Sequence, residues 1–208
     1  MPERITAFFR RSPVTFLLVA VNIVVFVLET IAGGSTKTQV ALLFGAQTTP
    51  HLAAGQYWRL FTAMFLHFGI THLACNMISL INLGPAIERV YGKARYLCIY
   101  FCAGLAGNLL TVGWEMHTQE FAVSAGASGA IFGLFGAYAA LALIPSMRQF
   151  LSLRGIVITL VLNLAYGMTY RSVNMAAHAG GMIGGALIAA VMILVIRHRA
   201  RRGSDASR

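Results

Sequence analysis

Residues 123–133 read VSAGASGAIFG, and the central Gly126-Ala127-Ser128-Gly129 has two readings. A serine between glycines suits a nucleophile presented on a tight turn. The same small residues equally suit two helices that touch backbone to backbone. The surroundings weigh on the choice, and they are apolar. The chain of 208 residues is 58% hydrophobic and 11% charged, with a mean hydropathy of +0.73. Soluble domains carry about twice that charged fraction. The composition predicts an all-α polytopic membrane protein, in a length that leaves no room for a second large domain.

A run of about 18 or more apolar residues can cross a bilayer. Six candidates follow one another, at about Val14–Ile31, Thr71–Val90, Tyr96–Val112, Ala125–Ile144, Ile156–Tyr170 and Asn174–Ile196. The first is too long for the core of a signal peptide, and no small-residue cleavage site accompanies it. The longest connection, about residues 32–70, mixes polar residues with Phe61, Met64, Phe65 and Leu66 and reads as partly interfacial. The expected organisation is a basic N-terminus over residues 1–13, a six-helix domain over 14–196 and a basic tail over 197–208, which ends in a disordered RRGSDASR. No internal repeat stands out.

The net charge of +10 follows the spans. Arg4, Arg10 and Arg11 precede the first; Arg197, Arg199, Arg201 and Arg202 follow the last. Arg89, Lys93 and Arg95 fall between spans two and three, and Arg148 and Arg154 between four and five, all on the side of the termini. The opposite side holds Lys37, Arg59 and Arg171. This bias predicts both termini in the cytoplasm. No nucleic-acid motif accompanies the basic clusters, so no nucleic-acid partner is expected. Cys75, Cys98 and Cys102 sit in apolar context without CxxC or Cys/His spacing and read as small buried hydrophobes, so no metal is expected.

With that orientation, spans two, four and six all begin at the outer side. They open with His72-Leu-Ala-Cys-Asn76, Gly126-Ala-Ser128-Gly129 and Asn174-Met-Ala-Ala-His178. Taken singly, each histidine reads as well as a bridge between helices, and the serine motif as packing. Together they put costly polar groups at one depth, where such groups face a bundle interior or a wet cavity. His72 and Asn76 are i, i+4, on one helix face. Both can donate hydrogen bonds without fixed charge, as a developing oxyanion requires. Ser128 falls near a helix N-terminus, which favours negative charge. His178 is of a type that activates a serine hydroxyl.

No carboxylate is placed to orient His178. Asp205 is the only aspartate; Glu115 and Glu120 read as part of the 3–4 loop, and Glu88 falls at the far end of span two. A Ser–His dyad is therefore expected. Phe132, one turn beyond Ser128, is positioned to pack on His178 or to fill the helix contact. Gly129/Gly133, Gly180/Gly184 and Gly181/Gly185 are small-xxx-small pairs that would bring spans four and six together.

These residues resemble the rhomboid family of intramembrane serine proteases. The matching elements are Trp58-Arg59, HLACN at 72–76, Glu88-Arg89-x-x-Gly92, GASG at 126–129 and AAHAGG at 176–181, in family order. The resemblance is to a bacterial-type, six-span minimal core. It implies a rhomboid-like bundle with a water-accessible site below the outer surface of a cell membrane. It implies Ser128 as nucleophile, His178 as general base, and His72, Asn76 and the Ser128 N–H as oxyanion hole, supported by Gly126, Gly129 and Phe132. Trp58 and Arg59 would anchor the first loop, and Glu88 and Arg89 would brace the cytoplasmic end of span two. The implied partners are the lipid bilayer and single-span membrane-protein substrates, cleaved near the outer interface after entry beside span five; no cofactor is implied. The family often has tyrosine where this chain has Phe132, which keeps the ring and loses the hydroxyl. An inactive relative that binds transmembrane helices would lack the serine or histidine, and both are present. A transporter would trace polar residues across the whole bilayer. The chain has no HExxH for zinc proteolysis and no aspartate pair for aspartyl proteolysis.

Overall fold

The computed structural model describes residues 12–150, 153–169 and 173–205. Six apolar helices stand where the hydropathy pattern predicts them: α1 (Pro13–Ile31), α2 (Ile70–Tyr91), α3 (Lys93–Thr118), α4 (Ser128–Ala142), α5 (Leu153–Thr169) and α6 (Met175–Asp205). Four of them, α1, α2, α3 and α6, are long and apolar enough to cross a membrane. The others are shorter, at 15 residues for α4 and 17 for α5. Arg4, Arg10, Arg11, Tyr170 and Arg171 lie outside the described residues.

Three boundaries differ from the expected ones, each for a backbone reason. α3 continues through Thr118 and closes at Gln119 in the left-handed conformation. Glu115 is therefore helical rather than part of a loop; hydropathy marks the apolar stretch, not the end of the hydrogen-bond ladder. α4 begins at Ser128, because Gly126, with φ of 142°, cannot continue a helix. Gly126 and Ala127 form its approach. α6 runs on through Asp205, so residues 201–205 of the RRGSDASR expected to be disordered are helical, and 206–208 lie outside the described residues. Arginine and alanine are good helix formers, and no breaker precedes Gly203.

The connection before α2 carries short helices at Thr38–Leu43, Thr49–Ala53 and Arg59–Thr62, then a tight turn at Ala63–Phe65. Arg59 is buried within it. Its Nη1 donates to the carbonyls of Leu42 and Ala46, both at 2.9 Å, and its Nε donates to Gln56 Oε1 at 2.7 Å. Its guanidinium lies 4.7 Å from the centre of the half-exposed Trp58 ring. At the other end of α2, Glu88 accepts from the N–H groups of Val14 (3.0 Å) and Thr15 (2.9 Å) and from the Thr15 hydroxyl (2.8 Å). It thereby satisfies the first orphan donors of α1. Arg89 beside it is exposed.

The closest packing joins α4 and α6, with α3 against both. Glycines make this possible. A methyl group on Gly181 would collide with the Gly129 carbonyl, and one on Gly185 with the Gly133 carbonyl. Gly180 meets the Ala106 carbonyl of α3 in the same way, at 2.8 Å. Outside this core, Leu17, Val24, Leu187 and Leu194 are all more than half exposed. Such an apolar exterior suits lipid.

Candidate active site

Between α2, α3, α4 and α6 lies a cavity of about 810 Å³. His72, Asn76, Gly126, Ser128, Gly129 and His178 all line it. Trp58, Arg59, Glu88 and Arg89 are not among its lining residues. Three separate stretches of sequence thus meet at one space, and each is held by identifiable bonds.

Ser128 is the first residue of α4. The segment leading to it is pinned to the long connection. Gln47 and Ser124 exchange both backbone hydrogen bonds at 2.9 Å, and Gly126 N–H donates to the Ala63 carbonyl at 2.9 Å. The Gln47 side chain donates onward to the Asn108 carbonyl at 3.0 Å, and Asn108 to the Leu60 carbonyl at 2.7 Å. The serine therefore sits on a fixed platform at a helix N-terminus, where free N–H groups gather.

His178 lies one turn into α6 and is buried. Phe132 stacks on its imidazole almost in parallel, with ring centroids 4.0 Å apart and planes 9° apart. Asn174 governs the start of this helix. Its Oδ1 accepts the Ala177 N–H at 2.9 Å, the bond of a helix cap. Its Nδ2 donates to Ser124 Oγ at 2.8 Å and Thr111 Oγ1 at 3.0 Å. One side chain thus ties the first turn of α6 to the serine segment and to α3.

His72 and Asn76 face the cavity from α2. The Phe68 N–H donates to His72 Nδ1 at 3.3 Å. Nδ1 must then be the bare nitrogen, so the proton is on Nε2. A methyl group built on Gly126 would lie 3.0 Å from that Nε2 and 3.7 Å from Ser128 Oγ. The donor and the serine hydroxyl therefore flank one small space. Asn76 is 3% exposed, and its Nδ2 has no hydrogen-bond partner among the described residues. Behind His72, the His67 ring meets it edge-on at 5.1 Å. Burial, with His72 nearby, holds the His67 imidazole well below its ordinary pKa, and hence neutral.

Glu115, in α3, also lines the cavity. Its carboxylate accepts from the Thr49 hydroxyl at 2.6 Å and the Ala122 N–H at 3.2 Å. Sequence reasoning missed the roles of Asn174, Gln47 and Asn108. For Asn174 a signal existed: an asparagine directly before an apolar helix is a cap signature. For the other two the bonds run to backbone carbonyls and leave no pattern. Among the described residues, no group of three or more histidine, cysteine or acidic side chains could hold a metal ion.

Fold and site together define a multi-pass helical membrane protein with a serine- and histidine-lined cavity inside it. A family model described as the Rhomboid domain matches residues 54–195. The chain belongs to the rhomboid family, which is one of intramembrane proteases. It is similar to rhomboid protease GluP of Bacillus subtilis, at 40% identity over 86% of this chain and 34% of that protein. It is similar to YdcA of the same organism, a putative rhomboid protease, at 35% identity over 96% of this chain and 97% of the relative. A third relative is rhomboid protease AarA of Providencia stuartii, at 31% identity over 87% and 73% of the two chains.

Proposed function

We propose that this protein is a serine endopeptidase that cleaves single-span membrane proteins within the bilayer. Ser128 Oγ attacks the scissile carbonyl carbon while His178 takes the hydroxyl proton. The carbonyl oxygen becomes an oxyanion, met by His72 Nε2–H, Asn76 Nδ2 and the Ser128 N–H. The C–N bond then breaks, and His178 returns the proton to the leaving amine. Water, activated by the same histidine, hydrolyses the acyl-enzyme. Phe132 orients the imidazole by stacking, in the place of a third triad member. The helical substrate must unwind locally to expose the bond, so helix-breaking residues near the cleavage point favour reaction.

The observation that carries this reading is Asn76 Nδ2. A buried amide donor without a partner costs about 1–3 kcal/mol. Its cavity also holds Ser128 Oγ and the protonated nitrogen of His72, so an oxyanion would satisfy it. Six spans, cytoplasmic termini and a site opening toward the extracytoplasmic side of a bacterial plasma membrane complete the proposal. The span count rests on the apolar runs, and the sidedness on the charge bias of the loops.

The test is cleavage of a single-span reporter in proteoliposomes, with fluorophosphonate labelling in parallel. Wild type is expected to cleave and to label at Ser128. Ser128→Ala is expected to do neither while keeping its thermal unfolding profile. Full cleavage by Ser128→Ala would overturn the assignment. A wild type that neither labels nor cleaves would favour an inactive helix-binding relative.

A further inference from the structure

Glu29 lies near the end of α1, is the one charged residue of that helix and is fully buried. An ionisable group within a membrane span is costly and calls for a use. Its Oε2 accepts the His67 N–H at 3.1 Å. Its Oε1 has no hydrogen-bond partner among the described residues.

The amide held by Glu29 and the amide that fixes His72 are consecutive. His67 N–H goes to Glu29, and Phe68 N–H goes to His72 Nδ1 at 3.3 Å. Both belong to a tight turn, closed by Gly69 N–H on the His67 carbonyl at 2.9 Å and by His67 Nδ1 on the Phe65 carbonyl at 3.3 Å. The same turn sets the His67 ring edge-on against the His72 ring. One turn thus makes two contacts with His72, and Glu29 is the side chain that grips it from α1.

We infer that Glu29 is a positioning residue for the oxyanion donor: by holding the His67 amide it keeps the Phe68 N–H on His72 Nδ1, which leaves Nε2–H aimed into the cavity. The inference rests on the reading of His72 given above. It makes no use of the charge of Glu29, only of an oxygen acceptor at that place.

The experiment measures kcat and KM on the single-span reporter in proteoliposomes, for wild type, Glu29→Gln, Glu29→Leu, His72→Ala and the Glu29→Leu/His72→Ala double variant. Glu29→Leu is expected to lose about tenfold or more in kcat with KM unchanged, as loss of a pre-positioned donor would give. Glu29→Gln keeps an acceptor and is expected to stay within about threefold of wild type. In the His72→Ala background, Glu29→Leu is expected to add less than about twofold, because the residue it positions is gone. Multiplying effects would overturn the inference, as would wild-type kcat in Glu29→Leu. Should Glu29→Leu fail to fold, Glu29→Gln decides: a tenfold loss in that variant with an intact unfolding profile overturns it. Activity in Ser128→Ala is a separate outcome and defeats the enzymatic reading itself.

Discussion

At Gly126 a side chain would enter the small space between His72 and Ser128. At its φ of 142° any L side chain is strained, and a Cβ would stand 2.9 Å from the His72 ring. Gly126→Ala is expected to lower kcat by about a hundredfold, the scale of losing an oxyanion donor. Reporter cleavage measures this directly; near wild-type turnover would mean that the space beside His72 is not used. Phe132 supports a gentler prediction. An aromatic pair is worth about 0.5–1.5 kcal/mol beyond burial, so Phe132→Leu is expected to cost roughly two- to tenfold in kcat. Phe132→Tyr keeps the ring and should keep most of the activity. The lining residues were legible because polar side chains are rare in apolar runs, and Phe132 because of its i, i+4 spacing. The link from Glu29 to His72 was not legible. It passes through two backbone amides, which look alike in every sequence.

Among the elements, the α4–α6 contact sets the strictest limits. Gly181 and Gly185 meet the carbonyls of Gly129 and Gly133 with no room for a side chain. Gly181→Leu must push α6 away and carry His178 with it. It should destabilise the protein by about 1–3 kcal/mol, as overpacking does, and lose cleavage besides. Thermal unfolding in detergent measures the first effect and the reporter the second. Asn174→Ala removes the cap of α6 together with its bonds to Ser124 and Thr111. A loss of about 1–2 kcal/mol is expected from the cap; unchanged stability would show that the network adds nothing. Of the glycine pairs expected to join these helices, Gly129/Gly133 and Gly181/Gly185 do so, whereas Gly180 and Gly184 face α3, because they lie one residue round the helix from the pair that meets α4. Helix ends were harder to read, since they depend on backbone events. Gly126 at positive φ sets the start of α4, and Gln119 in the left-handed region the end of α3, at places that hydropathy does not mark.

At the scale of the molecule, composition alone separated a membrane bundle from a soluble fold. The four long spans followed from run length. The fold of the first connection did not, because Arg59 binds backbone carbonyls that only the folded loop brings together. Sidedness has its own test. In a cysteine-free background, a cysteine at Gly55 should react with an impermeant thiol reagent on intact cells. One at Lys93 should react only after permeabilisation. The reverse pattern would invert the proposed orientation.

The order of the site residues along the chain has a consequence for biogenesis. The proposed oxyanion donors are made first, at 72 and 76, then the proposed nucleophile at 128, and the proposed base last, on α6. A ribosome that has delivered five helices to the translocon has produced Ser128 without His178. On the proposed mechanism, the chain has no activity throughout this part of its own insertion, beside the newly made spans. On that mechanism the site is complete once α6 seats Gly181 and Gly185 against α4.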